Sequence, residues 1–184
     1  MRLFIGIPLA DAVAGELSTL VSRLRPGTPN LRWTARDTWH ITLQFLGNAT
    51  AEQLQCLGAR LSEVHSPPVP IQIGEPGFFD RAGAFFADVV ASPALTGLQQ
   101  RVVDTTAQCG FATDARPFHP HITLARAKGH GSGLGLRELM GGLHSQPRFS
   151  SFTAQEFLLY ESHLERHGAR YEVLGRFPID SRRG

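Results

Sequence analysis

The tetrapeptide H-I-T-L occurs twice in this chain, at residues 40–43 and 121–124, with 81 positions between the two histidines. A strand turns successive side chains to opposite faces, so in each copy the His and Thr share one face and the Ile and Leu the other. The repeat predicts two strands, each carrying a His-Thr pair. Two copies at so long a spacing mark a duplication rather than a solenoid, which needs more and shorter repeats. Two related halves facing each other about a pseudo-two-fold axis would bring both pairs to one cleft.

The rest of the chain is compatible with such a duplicated fold. A length of 184 residues suits one domain, or two small lobes sharing a core, and 42% hydrophobic with 18% charged residues is an ordinary globular balance. The net charge of +2 permits a polyanionic partner without requiring one. The opening "MRLFIGIPLADAVAGEL" reads as a strand running into a helix, because Asp11 and Glu16 follow the short apolar run at once. No stretch approaches the roughly 18 apolar residues of a membrane span. Cys56 and Cys109 lie far apart without a C-x-x-C partner, which argues for neither a disulfide framework nor a zinc site. The expectation is a cytoplasmic monomer without membrane contact.

Strand composition at 2–9 is followed by helical spacing at 10–24, a turn at 25–30, a short strand "LRW" and a strand over 39–46. Thr50, with Gln53 three residues on, predicts a capped helix whose buried stripe is Leu54, Leu57, Leu61 and Val64. Strands are expected at 69–79 and 83–91, and a helix over 92–110 with Ser92 as cap, Pro93 in its first turn and Gly110 at its end. After the second tetrapeptide come a Gly-rich loop (128–135), a short helix (136–143), and two strands, 148–162 and 169–179, joined by the polar turn "HLERHG". The expected class is α+β with mainly antiparallel sheets and helices on the outside.

Two facing histidines form a natural base-acid couple near neutral pH. A hydroxyl two residues along each strand points the same way and can donate to an anionic oxygen. A phosphorus held between two such pairs would meet a base, an acid and two hydroxyl donors, with no metal required. In-line displacement at a phosphodiester fits. With eight His in the chain, a single H-x-T is weak evidence for this. Duplication could also preserve a strand's packing pattern, but packing explains the Ile and Leu well and the His poorly.

The motifs H-I-T-L-Q-F-L-G and H-P-H-I-T-L-A-R resemble the paired signatures of the two-histidine (2H) phosphoesterases. The nearer likeness is to their RNA 2′,3′-cyclic phosphodiesterase branch, also called 2′-5′ RNA ligase. "RLFIGIPL", "LRWTARDTWHITLQFLG" and the closing "LLYESHLERHGARYEVLGRFPI" extend the likeness over most of the chain. The resemblance implies a bilobal fold with a cleft between the lobes. It implies His40 as proton donor and His121 as proton acceptor, with Thr42 and Thr123 beside them, and no cofactor. Partners would be RNA with 2′,3′-cyclic phosphate or 2′-phosphate ends, or nucleotides. Where family members often carry a Trp near V-L-W-A-G, this chain has A-F-F-A-D-V, so Phe86 stands in that place. The upstream D-R-A-G lacks the Pro-Arg often found there.

Other residues divide by parity and spacing. His119 shares parity with His121, and only the alignment of the two copies favours the latter. Strict alternation puts Arg126 on the Ile122 face, whereas the resemblance gives it a phosphate role; a guanidinium can grip phosphate with two parallel bonds. Trp33, Phe45 and Phe79 read as core, with one aromatic able to stack on a base. Phe45, Phe86, Arg126 and Lys128 are thus the substrate-facing candidates. The pair in "HLERH" matches no zinc signature and reads as a solvated turn; the glycines at 129, 131, 133 and 135 miss dinucleotide spacing. Two rivals remain: the same site acting on a small cyclic nucleotide, and a non-catalytic RNA-end or nucleotide-binding module.

Overall fold

A computed structural model describes residues 1–113, 116–128, 148–165 and 168–179. The strands are β1 (Arg2–Pro8), β2 (Leu31–Trp33), β3 (His40–Asn48), β4 (Val69–Ile71), β5 (Ile73–Phe79), β6 (Ala84–Val89), β7 (His121–Ala127), β8 (Phe152–Ala154), β9 (Glu156–Glu165) and β10 (Gly168–Pro178). The helices are α1 (Asp11–Leu24), α2 (Ala51–Leu61) and α3 (Pro93–Ala107). The Gly-rich loop from Gly129 onward and the helix expected over 136–143 lie outside the described residues.

Two four-stranded sheets, ordered β10-β9-β1-β3 and β2-β7-β6-β5, carry one H-I-T-L copy each, and β4 with β8 forms a small third sheet. All these pairings are antiparallel. The class is α+β, with two antiparallel sheets forming a duplicated, bilobal fold.

The helices follow their sequence signals. In α1, Val13, Ala14, Leu17, Leu20, Val21 and Leu24 recur at helical spacing and are buried. Thr50 and Gln53 make a reciprocal capping box on α2. Ser92 accepts from the Leu95 amide at the head of α3, and Gly110 beyond its end has φ +83°. Ile41 and Leu43 from one repeat, and Ile122 and Leu124 from the other, enter one continuous hydrophobic cluster with all three helices. The apolar half of each repeat therefore anchors its strand and leaves the His-Thr half on the opposite face.

Four expectations are corrected. The segment 69–79 is two strands, β4 and β5, belonging to different sheets, and 148–162 likewise divides into β8 and β9. Alternation marks a strand but does not name its partner, and β4 pairs with β8, far along the chain. β9 continues through Glu165, so His163 lies in a strand rather than a turn. Cys56 and Cys109 form a disulfide across 53 positions. α2 packs beside α3 and brings the two together, which linear spacing could not reveal.

Candidate active site

The two repeats keep the same burial order, residue for residue: a half-buried His, buried Ile, half-buried Thr, two consecutive buried residues, then an exposed one. The consecutive buried pairs are Leu43-Gln44 and Leu124-Ala125. Each marks a β-bulge, visible as a register shift between Ile5 and Gly6 against β3 and between Phe85 and Phe86 against β7. An extra residue in one strand reverses the parity of everything beyond it. Phe45 and Arg126 therefore return to the His-Thr face. The placement of Arg126 on the Ile122 face, which strict alternation gives, is overturned by this bulge. Gln44, turned inward, accepts a hydrogen bond from the buried Thr106 hydroxyl at 2.7 Å.

The imidazoles are held alike. His40 Nδ1 lies 2.7 Å from the carbonyl oxygen of Thr38, and His121 Nδ1 lies 2.8 Å from that of His119. A carbonyl only accepts, so both Nδ1 atoms carry the proton and both Nε2 atoms hold the lone pair when the rings are neutral. Each partner is the residue two positions earlier, as the duplication requires. His40 Nε2 is 3.1 Å from the Thr42 hydroxyl, which donates to it. Thr123 is half-buried on the corresponding face of β7.

Both histidines resist protonation. Burial drives His40 down to about 4, opposed by its bond to the Thr38 carbonyl and reinforced by positive charge at His121 and Arg126. Burial also lowers His121; the His119 carbonyl bond and Asp88 oppose this, and the charges of His119 and Arg126 add to it. The charges of His121 and Arg126 both reach His40, and that of Arg126 also reaches His121. Phe4 and the two tyrosines supply the desolvating wall: the His40 ring lies 4.6 Å from Phe4, 5.8 Å from Tyr160 and 5.3 Å from Tyr171, centroid to centroid. Burial lifts Tyr160 to about 12 and raises Tyr171, so both remain neutral phenols at physiological pH.

On the other side, Phe79 stacks on Phe86 at 4.1 Å, and both rings stand edge-on to His121, at 5.0 and 5.5 Å. Phe86 is buried, whereas Phe45 is 65% exposed. The structure thus joins His40, Thr42, His121, Thr123, Arg126, Phe86 and Phe45 on the facing surfaces. It does not join Lys128, whose ammonium donates to the Pro29 carbonyl at 3.1 Å. Trp33 is a packing residue, edge-on to Phe85 and donating to Thr28.

Phe4, Tyr160, Tyr171 and Asp88 escaped the sequence reading. For Phe4 the signal was available: in "RLFIGIPL" it stands at opposite parity to Leu3, Ile5 and Ile7. The two tyrosines become visible only once β9 is known to lie beside β1. Among the described residues, one group of potential metal ligands occurs, Glu161, His163 and Glu172, on the β9–β10 hairpin. Its charges are already engaged, His163 with both carboxylates and Arg170 with Glu172.

Comparison with known proteins agrees with this geometry. Residues 10–166 match the model of the 2′-5′ RNA ligase superfamily. An RNA 2′,3′-cyclic phosphodiesterase of Bacillus subtilis is 28% identical, over 96% of this chain and 95% of its own. One from Geobacillus stearothermophilus is 30% identical over 96% of this chain, which spans only 56% of that relative's length. The crystal structure of Escherichia coli LigT complexed with 3′-AMP superposes with a TM-score of 0.81 at 27% identity, covering 97% of each chain. Two bulged strands with matching His-Thr faces, in an architecture shared along nearly the whole length, make this chain a member of the 2′-5′ RNA ligase superfamily.

Proposed function

We propose that this protein opens 2′,3′-cyclic phosphate ends of RNA to 2′-phosphates by acid-base catalysis between His40 and His121. The observation that carries the reading is the matched pair of imidazoles, each fixed with Nδ1–H on a carbonyl and Nε2 available for proton transfer. The relatives named RNA 2′,3′-cyclic phosphodiesterase supply the substrate and the regiochemistry. His121 Nε2 takes a proton from water as its oxygen bonds to phosphorus. The bond from phosphorus to the 3′-oxygen breaks, and His40 Nε2–H protonates that oxygen. Which imidazole gives and which takes rests on the family likeness.

Thr42, Thr123 and Arg126 donate to the non-bridging oxygens, where charge accumulates. Diester binding displaces the Thr42 hydroxyl from His40 Nε2 and supplies the negative charge that lets His40 hold a proton. Phe45, exposed beside Phe4 at 6.1 Å between rings, offers a stacking face to a base. Phe86 acts from beneath, as packing for His121. Reversal, with a 5′-hydroxyl RNA end in place of water, forms a 2′-5′ linkage without ATP.

The chemistry as written calls on no metal ion. Residues 1–184 act as one bilobal domain and as a monomer. No helix among the described residues is long and apolar enough to cross a membrane. In the cytoplasm, the expected location, Cys56 and Cys109 would be held as adjacent thiols rather than as the disulfide.

The deciding experiment incubates chelator-treated protein with an RNA oligomer ending in a 2′,3′-cyclic phosphate and identifies the product. A 2′-phosphate end is expected, with faster turnover of the oligomer than of a cyclic mononucleotide. Complete loss of activity in chelator, restored by one metal, would overturn the metal-independent chemistry. A 3′-phosphate product would overturn the assigned leaving group.

A further inference from the structure

The carbonyls that orient the two catalytic imidazoles are themselves held in different ways. Thr38 sits in a 3-10 turn, where its amide and its hydroxyl both donate to the Ala35 carbonyl, at 3.0 and 2.6 Å, and the Trp39 amide donates to Arg36. The turn is local and self-contained. His119 has no such turn, because residues 117–120 are irregular. Instead its ring donates from Nε2 to Asp88 Oδ1 at 2.9 Å, a carboxylate being acceptor only. Asp88 lies on β6 directly opposite His121, and the next amide, Val89, donates to the Pro120 carbonyl at 3.1 Å. The stretch 119–121 is therefore clamped to β6 from one end to the other.

We propose that Asp88 and His119 form a positioning dyad, which replaces the missing 3-10 turn in the second lobe and keeps the His121 lone pair aimed at the substrate. The inference rests on the function proposed above. His119 is exposed at the rim with its ring edge-on to Phe79, at 5.2 Å, and to Phe86, at 5.6 Å. With Nε2 committed to Asp88, the ring packs against the same two aromatics that flank His121. The carbonyl accepting from His121 Nδ1 belongs to this anchored residue, so fixing the ring fixes the acceptor.

Charge works in the same direction. His121 is faced by His119 just ahead of its strand, by Arg126 on it, by His40 from β3 and by Asp88 from β6. Three of these are cationic or become so on protonation; Asp88 is the anion among them. Neutralising Asp88 makes His121 harder to protonate.

The test uses the intact protein and the variants Asp88→Asn, His119→Asn and the double mutant. Each single change should lower kcat roughly 10-fold with little change in KM, since neither side chain is assigned a substrate contact. The double mutant should be about as impaired as either single one, because groups acting as a unit are not additive. In Asp88→Asn the proton titration of His121, followed by NMR of the ring nitrogens, should move to lower pH while that of His40 holds. Asp88→Glu should restore part of the shift. Undiminished kcat together with an unmoved His121 titration would overturn the dyad. The NMR readout needs no substrate, so an inactive wild type would count against the function and leave the dyad to be decided by the titration.

Discussion

In the proposed reaction His40 and His121 both start with a lowered affinity for a proton. His40 is pushed down to about 4 and His121 below its ordinary value, in both cases chiefly by burial. The form with one proton shared between them is most populated on the acid side of about 6.5, the usual His value. The kcat/KM profile, which reports the free enzyme, should therefore peak below that pH and fall as pH rises through its upper limb. A bound diester anion favours imidazolium, so both limbs should lie higher in kcat. A flat profile over about pH 5–9 would leave acid-base catalysis unsupported. His40→Ala and His121→Ala should each reduce turnover by roughly 10²–10⁴-fold, the scale of a lost positioned acid or base, with the fold intact by circular dichroism. The same burial affects stability. Unfolded chains bind the His40 proton near pH 6.5, whereas the folded chain waits until about 4, so stability falls as pH drops through that window. By pH 5 the loss is roughly 2 kcal/mol. Urea midpoints at pH 7 and pH 5 should differ by less in His40→Gln than in the wild type. The repeated tetrapeptide singles these residues out as candidates; their proton affinities were not readable from it, because Phe4, Tyr160 and Tyr171 reach His40 through strand order.

At the scale of the element, a glycine stands at a close contact beside each repeat, on the adjacent β1 for the first and on β5, one strand removed, for the second. On β1, Gly6 lies opposite Thr42, and an added Cβ would sit 2.9 Å from the Ile41 carbonyl oxygen and 3.2 Å from His40 Cδ2. On β5, Gly77 lies opposite Phe86, and an added Cβ would come within 2.6 Å of that ring. The first obstacle is backbone; the second is a buried ring already stacked on Phe79. Gly6→Ala and Gly77→Ala should therefore each displace one of the two imidazoles of the proposed acid-base pair, the first directly and the second by way of Phe86. A fall in kcat of at least 10-fold is expected for both, with a destabilisation of about 1–3 kcal/mol of the kind that overpacking produces. Wild-type kcat in Gly6→Ala would show that β1 can shift without moving His40. The element type of each repeat was legible because Ile and Leu alternate with His and Thr. The bulges were not, since "LQF" and "LAR" continue an alternation that the chain then breaks, and a bulge is decided by the partner strand. Arg126 looked misplaced for that reason alone.

Across the whole molecule, the duplication predicted two sheets sharing a cleft, and local signals located three helices to within a few residues. Pairing at long range stayed hidden. β4 and β8 find each other across nearly half of the chain, and β9 inserts beside β1, with no feature of either strand naming its partner. The disulfide belongs to the same category, and it joins two helical segments far apart in the chain. Cys56 comes from α2, which follows the first repeat, and Cys109 from the turn after α3, which precedes the second. Gln53 adds a bond at the same junction, donating to the Cys109 carbonyl at 3.3 Å. Closing a loop of 53 positions restricts the unfolded chain, which by the chain-entropy model stabilises the fold by about 4 kcal/mol, the upper end of what such links usually contribute. α3 packs against β3, where the Thr106 hydroxyl donates to Gln44, so the link ties α2 to α3 without touching the His-Thr face of β3. The double variant Cys56→Ser, Cys109→Ser should thus lose about that much stability to denaturant while keeping kcat within about twofold at temperatures where it stays folded. Adding a reductant to the wild type should reproduce the loss, and adding it to the variant should change nothing. A variant as stable as the oxidised wild type would mean that packing between α2 and α3 already fixes the two helices. A variant that stayed folded but lost turnover would instead tie the spacing of the two imidazoles to the covalent link.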